Sequence, residues 1–241
     1  MSGPGRIVLS VSTWQQPMPP PPGPARAEVV AGVADRVEAL GRRRVRVAVD
    51  GMTAAGKTSF GHELAAALAD RGRVVLRASL DDFKRPWREA HLYDRVSGEG
   101  YYRNAFDHEA MWRLLLDPAS PDGSGSVALC SIDPITQIDH RTTTVEMPDD
   151  GVLVVDGVFA LRDELRRAWD LTVWLEVDPE LSVRRGVDRD TDAEGGRDEA
   201  EALHRGRYLA AELLYLDEVD PRSHADVVVD NSDFDAPVLR T

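Results

Sequence analysis

One octapeptide constrains this chain more than any other feature. Gly51-Met52-Thr53-Ala54-Ala55-Gly56-Lys57-Thr58 matches the pattern G-x-x-x-x-G-K-[ST] at every fixed position. Glycines let the backbone curl until successive N–H groups point inward and cradle phosphate oxygens. A helix beginning near Lys57 adds the positive end of its dipole. The Lys57 ammonium then reaches the β- and γ-phosphates, and the Thr58 hydroxyl ligates magnesium. The motif needs a strand before it and a helix after it, and the sequence supplies both. Residues 44–50 alternate and then turn apolar, like a strand entering a core, while residues 57–70 carry Phe60, Leu64 and Leu68 four apart. Gly51, Met52, Thr53, Ala54, Ala55, Gly56, Lys57, Thr58 and Ser59 are therefore assigned to ATP, with Thr58 also on Mg2+.

Strand-like and helix-like segments alternate along the rest of the chain. Val29, Val30, Val33, Val37 and Leu40 give residues 25–40 one apolar helical face. Further strands are expected at 73–78, 127–132, 151–156, 170–177 and, as the last one, 226–230. Further helices are expected at 107–116 with Asp107 as cap, at 161–169, at 179–188 with Pro179 near its start, and at 202–216. This alternation predicts an α/β fold, a P-loop NTPase three-layer sandwich with a mostly parallel sheet and a small lid. The run Pro17-Met18-Pro19-Pro20-Pro21-Pro22-Gly23-Pro24 reads as a polyproline-type linker. The expected organisation is a disordered leader over 1–24, a P-loop domain over 25–235 with its lid at about 184–201, and a tail over 236–241.

Charge and cysteine content exclude several classes. A net charge of -13 disfavours the basic surface that nucleic acid requires, yet leaves a local phosphate site possible. No apolar run approaches membrane-spanning length, and no basic segment followed by an apolar core opens the chain, so neither a membrane nor a secretory address is expected. The single cysteine, Cys130, lies in an apolar stretch and reads as a buried strand thiol of a cytoplasmic protein. The expected partner is a small metabolite, and the composition leaves a homo-oligomer open. Of the 29 basic residues only Lys57 and Lys84 are lysine, so a compact ammonium has been kept where arginine is otherwise used.

Two groups of charged residues fall where a phosphate site would need them. Asp81 and Asp82 follow the second core strand, and ligands in open parallel sheets sit beyond the carboxyl ends of strands. A carboxylate there accepts a proton from an acceptor hydroxyl or orients magnesium through water. Asp156 ends the apolar run Val152-Leu153-Val154-Val155, the Walker B arrangement for holding magnesium. Arg184, Arg185, Arg189 and Arg197 stand after the 170–177 strand, as in a lid that closes over a transferring phosphoryl group.

In this order and spacing, the blocks resemble the uridine kinase family and its relatives, the pantothenate kinases and phosphoribulokinases. The resemblance covers residues 45–231 and rests on five blocks: the P-loop; Asp81-Asp82-Phe83; Phe106-Asp107-His108; Val154-Val155-Asp156-Gly157-Val158-Phe159; and Arg184-Arg185 through Arg189-Asp190 to Gly196-Arg197-Asp198. It implies ATP- and Mg2+-dependent phosphorylation of a hydroxyl on a small metabolite, most readily the 5′-hydroxyl of a nucleoside such as uridine. It implies Asp81 as catalytic base with Lys57 and Arg189 as charge stabilisers, Arg184 and Arg185 on ATP, and Thr58 and Asp156 on magnesium. Asp81, Asp107, His140 and Arg197 are the implied acceptor-side residues, and Lys84, the second retained lysine, is expected beside them to contact the acceptor or the transferring phosphate. The chain departs from the family pattern twice: Lys84 replaces a tyrosine after Asp-x-Phe, and Ile135 replaces the tyrosine five residues before His140. A kinase for a pantothenate- or sugar-type alcohol, and a weakly catalytic nucleotide-binding regulatory module, are the alternatives.

Overall fold

Parallel strands need long crossovers, and this chain builds most of them from helices. The computed structural model describes residues 5–14, 17–41, 43–92 and 94–240. Along it run β1 (Arg6–Leu9), α1 (Pro24–Ala39), β2 (Val45–Gly51), α2 (Lys57–Asp70), β3 (Val74–Ser79), α3 (Gly98–Asn104), α4 (His108–Met111), β4 (Ser126–Val127), β5 (Val145–Glu146) and β6 (Val152–Asp156). Then come β7 (Leu171–Glu176), α5 (Pro179–Asp190), α6 (Arg197–Leu203), α7 (Ala210–Val219), α8 (Pro221–His224), β8 (Val227–Asp230) and β9 (Val238–Arg240). Seven strands form one sheet in the order β1-β3-β6-β2-β7-β8-β9, parallel throughout except for the β8–β9 pair. β4 and β5 form a separate antiparallel ribbon.

The central strands are mostly apolar because helices cover both faces of the sheet. β6 is buried along its whole length, and β2 at every position but Arg46. Phe60, Leu64 and Leu68 of α2 are fully buried, as are Val33 and Val37 of α1. The α/β sandwich read from the sequence is thus the architecture of the molecule. β2 and β6 are neighbours with Val49 opposite Asp156, and β3 and β6 are neighbours with Ser79 opposite Asp156. The P-loop, Asp156 and Asp81 therefore leave the same edge of the sheet side by side.

Several expected elements differ. Of the 127–132 strand only Val127 joins a ribbon and Ile132 makes a lone bridge to Asp139, because the backbone between them bonds elsewhere: Ala128 N–H donates to Leu114 O and Ser131 N–H to Asp82 O. Cys130 is buried, but in this irregular stretch. Residues 161–169 form turns and a short 3-10 helix over Arg166–Ala168 in place of a continuous α-helix, because most of their amides close back three residues, as Leu165 to Arg162 and Ala168 to Leu165. The 202–216 helix begins earlier, at Arg197, and passes through a wider π-type turn (His204–Leu209) before α7. β8 is not last, since β9 doubles back on it from within the expected tail. The expected disordered leader contains β1, which adds to the sheet edge by pairing Arg6–Leu9 with Val74–Arg77. Residues 1–4 and 15–16 of that leader, and residue 241 of the tail, lie outside the described residues.

Candidate active site

The P-loop is shaped by backbone geometry that few residues tolerate. Gly56, which precedes α2, has a φ of 91°, and a Cβ there would stand 2.7 Å from the Asn231 Nδ2 atom. Asn231 uses that same nitrogen to donate to Ala55 O at 2.6 Å, so the end of β8 braces the loop. Ala54 also sits at positive φ, 57°, the kind of stored strain that clusters at ligand clamps.

A cavity of about 510 Å³ opens at the carboxyl edge of the sheet. It is lined by Thr53, Ala54, Gly56, Lys57, Thr58 and Ser59 of the loop, by Asp81, Lys84 and Asp156, and by Arg185 and Arg189 of α5. Gly51, Met52 and Ala55 stand behind this lining as the buried part of the loop. Lys57 Nζ donates to Met52 O at 2.7 Å. Burial pulls the Lys57 pKa below the ordinary lysine range, opposed by the charges of Glu212, Asp50, Asp156 and Asp81. Thr58 Oγ1 donates to Asp156 Oδ2 at 2.7 Å. These are adjacent hard oxygens, a donor set that suits Mg2+, which commonly takes only one or two protein ligands.

Asp81 stands on the other side of the cavity. The Lys84 ammonium is 2.7 Å from Asp81 Oδ1, and it also lies 5.7 Å from the Tyr101 ring centroid and 5.8 Å from that of Phe106. Burial pushes the Asp81 carboxyl up, but Lys84, Lys57 and a hydrogen bond from the Trp14 side chain bring it below the usual carboxylate value. Asp81 is thereby held ionised, as a proton acceptor must be.

The other expected residues lie outside the lining. Asp107 caps α4, accepting from Ala110 N–H at 3.0 Å. His140 belongs to the loop after Asp133, where its N–H donates to Ser131 O. Arg184 is exposed, and Arg197 pairs with Asp188 at 2.8 Å on the surface. Arg189 lines the cavity while paired with Asp190, and Arg185 donates to the carbonyls of Asn231 and Ser232.

Sequence reasoning missed four contributors. Arg77 of β3 donates to Asp156 Oδ1 at 2.6 Å. Its signal was readable, since an arginine inside Val74-Val75-Leu76-Arg77-Ala78 must find an acid when buried. Gly61 of α2 makes room for it, because a Cβ there would lie 2.7 Å from Arg77 Nη2. Glu212 of α7 accepts from the P-loop amide of Thr53 at 2.5 Å, and Asp50 accepts from Tyr215 Oη at 2.5 Å. Burial raises Glu212 and pushes Asp50 up to about 6. Trp14 arrives from the far end of the chain and had no local signal.

No protein-family model matches the chain. A uridine kinase of Limosilactobacillus reuteri is 25% identical over 191 residues, covering 78% of this chain and 84% of that protein. A solved structure described as a possible uridine kinase from Bacillus stearothermophilus superposes with a TM-score of 0.63 at 21% identity, covering 83% of this chain and 97% of the other. A candidate fructose transport system kinase from Silicibacter superposes with a TM-score of 0.60 at 25% identity, covering 80% and 95%. The chain is homologous, at the level of the family, to uridine kinase and related P-loop nucleoside and metabolite kinases. That homology supports nucleotide-dependent phosphotransferase activity in general and leaves the acceptor open. Among the described residues no helix is long and apolar enough to cross a membrane.

Proposed function

We propose that this chain is an ATP- and Mg2+-dependent kinase that phosphorylates a hydroxyl on a small metabolite, with the 5′-hydroxyl of a nucleoside such as uridine as the leading acceptor. One observation carries the reading: Lys57, the Thr58–Asp156 oxygen pair and an ionised Asp81 converge on one cavity from three adjacent strand ends. The nucleoside choice leans on the relatives called uridine kinase.

In this reading the loop amides and Lys57 grip the triphosphate. Thr58 and Asp156 would hold Mg2+, which when bound neutralises charge on the β- and γ-phosphates. Asp81 accepts the acceptor's hydroxyl proton as its oxygen attacks phosphorus in line, and Arg189 and Arg185 offset the charge that spreads over the transferring group. Arg189 is free to do so once it exchanges Asp190 for phosphate, a swap of one anion for another. Asp107, His140, Arg184 and Arg197 lie outside the cavity lining, so a part for them in acceptor or ATP binding requires closure of α5, α6 and the 133–140 loop.

A sugar-type alcohol is the second reading. It is favoured by the candidate fructose transport system kinase among the similar structures, and by Ile135, 48% exposed and outside the cavity lining. A screen of metabolites for stimulated ADP release, followed by mass spectrometry of the product, decides between them. Absence of any stimulated release, with ATP still bound, would leave a nucleotide-binding regulatory module in place of a kinase.

A further inference from the structure

β1 joins the sheet in parallel with β3, the strand that leads to Asp81. Parallel partners end on the same side of a sheet, so the residues after Leu9 are delivered to the edge where the cavity opens. They are pinned there. Ser10 Oγ donates to Leu129 O at 3.3 Å, and Thr13 donates to both oxygens of Asp133, at 2.6 Å from its N–H and 2.9 Å from its Oγ1. Asp133 is completely buried and also accepts from Ile135 and Thr136 N–H, so one carboxylate ties the leader to the 133–140 loop.

Beyond this anchor, described residues of the leader line the cavity. Leu9, Ser10, Trp14, Pro17, Met18, Pro19 and Pro20 all contribute to its wall before α1 begins at Pro24. Prolines hold such a segment extended without needing a sheet. Trp14 is 42% exposed, yet it lines the cavity together with Asp81, whose carboxyl it helps to hold below the usual carboxylate value. The indole N–H is the one polar group of that side chain, so the rest of its exposed surface is apolar ring.

We infer that residues 10–14 and 17–20 complete the acceptor side of the site, and that Trp14, which lines the cavity together with Asp81, is a specificity-determining residue whose ring face stacks on a flat ring of the acceptor. The inference rests on the reading of Asp81 as the base. It names the acceptor class as an alcohol carrying a planar ring, in preference to an open-chain or saturated-ring alcohol.

The test uses the full chain with a non-hydrolysable ATP analogue and Mg2+, and three probes: uridine, D-fructose and D-glycerate. Indole fluorescence is titrated in the wild type, Trp14→Phe and Trp14→Ala, and steady-state KM and kcat are measured with ATP. Uridine should quench the wild type saturably, the Trp14 component should vanish in Trp14→Phe, and fructose and glycerate should quench little. Trp14→Ala should raise KM for uridine about tenfold or more, with Trp14→Phe intermediate because it keeps a stacking face. ATP-analogue affinity in each variant, read by calorimetry, checks that the fold and the phosphate cradle survive. Equal quenching in wild type and Trp14→Phe, or an unchanged KM, overturns the inference while leaving the kinase reading intact. Faster phosphorylation in Trp14→Ala also overturns it and marks the leader as autoinhibitory. If none of the probes is phosphorylated and Asp81→Asn matches the wild type in ADP release, the kinase reading itself has failed.

Discussion

Arg77 and Asp156 form a buried ion pair at 2.6 Å, each side chain only 4% exposed, directly beneath the Thr58 hydroxyl. The carboxylate expected to face magnesium is thus already neutralised from behind by β3. Arg77 also donates to Val154 O at 2.7 Å, so the pair is embedded in the backbone of the sheet.

Breaking that pair from one side should be costly. Arg77→Met leaves Asp156 buried without its cation, and loss of one partner of a buried pair costs about 3–5 kcal/mol. Thermal unfolding should therefore show a much lower Tm, partly restored by Mg2+ with ATP, since a bound cation replaces the missing charge. A Tm within a degree or so of wild type, with or without Mg2+, would mean the pair carries no structural weight.

Asp81→Asn tests the base. The amide keeps the shape but cannot take a proton, so turnover should fall about 10²- to 10⁴-fold while ATP affinity is retained. Single-turnover kinetics together with calorimetry read both quantities. Near-normal turnover would remove Asp81 from the chemistry.

Lys84 tests how Asp81 is kept ionised. Burial pushes Asp81 up and Lys84 is the strongest influence bringing it below the usual carboxylate value. In Lys84→Ala the carboxyl pKa must rise, and a base is active only when deprotonated, so the acid limb of the kcat/KM–pH profile should move to higher pH. An acid limb that stays in place would show that Lys84 acts on something other than Asp81.

Asp82 gives a prediction about stability. Burial pushes its carboxyl from 3.8 up to about 7, and its Oδ1 has no hydrogen-bond partner. A raised carboxyl favours the folded state most below its unfolded pKa, near 4, and that contribution is lost as pH rises through about 7. The uncharged Asp82→Asn variant should match wild type near pH 4 and be more stable at pH 8, by at most ~4 kcal/mol. Denaturant melts across this range read the difference, and a gap that does not widen with pH would count against it.

The sequence determined whatever depends on neighbours along the chain. The glycines and Lys57 of the P-loop, the four-residue spacing of Phe60, Leu64 and Leu68, and the all-apolar run ending in Asp156 each encode a local conformation that the tertiary context had only to accept. The elements that misled were those whose backbone bonds are made at a distance. Residues 127–132 are apolar enough for a strand, but their amides are claimed by Leu114 and Asp82, and Leu161 donates to Asp50 and not along a helix. Only the tertiary structure decided which side chains share the cavity. It brought Arg77 to Asp156 across a strand pair, Glu212 to the P-loop from α7, and Trp14 to Asp81 across 67 residues of sequence by laying β1 beside β3. It also left Asp107, Arg197 and His140 outside the lining. The physical reason is that periodicity reports which face of an element is buried, whereas a site is set by which elements pair and where they end.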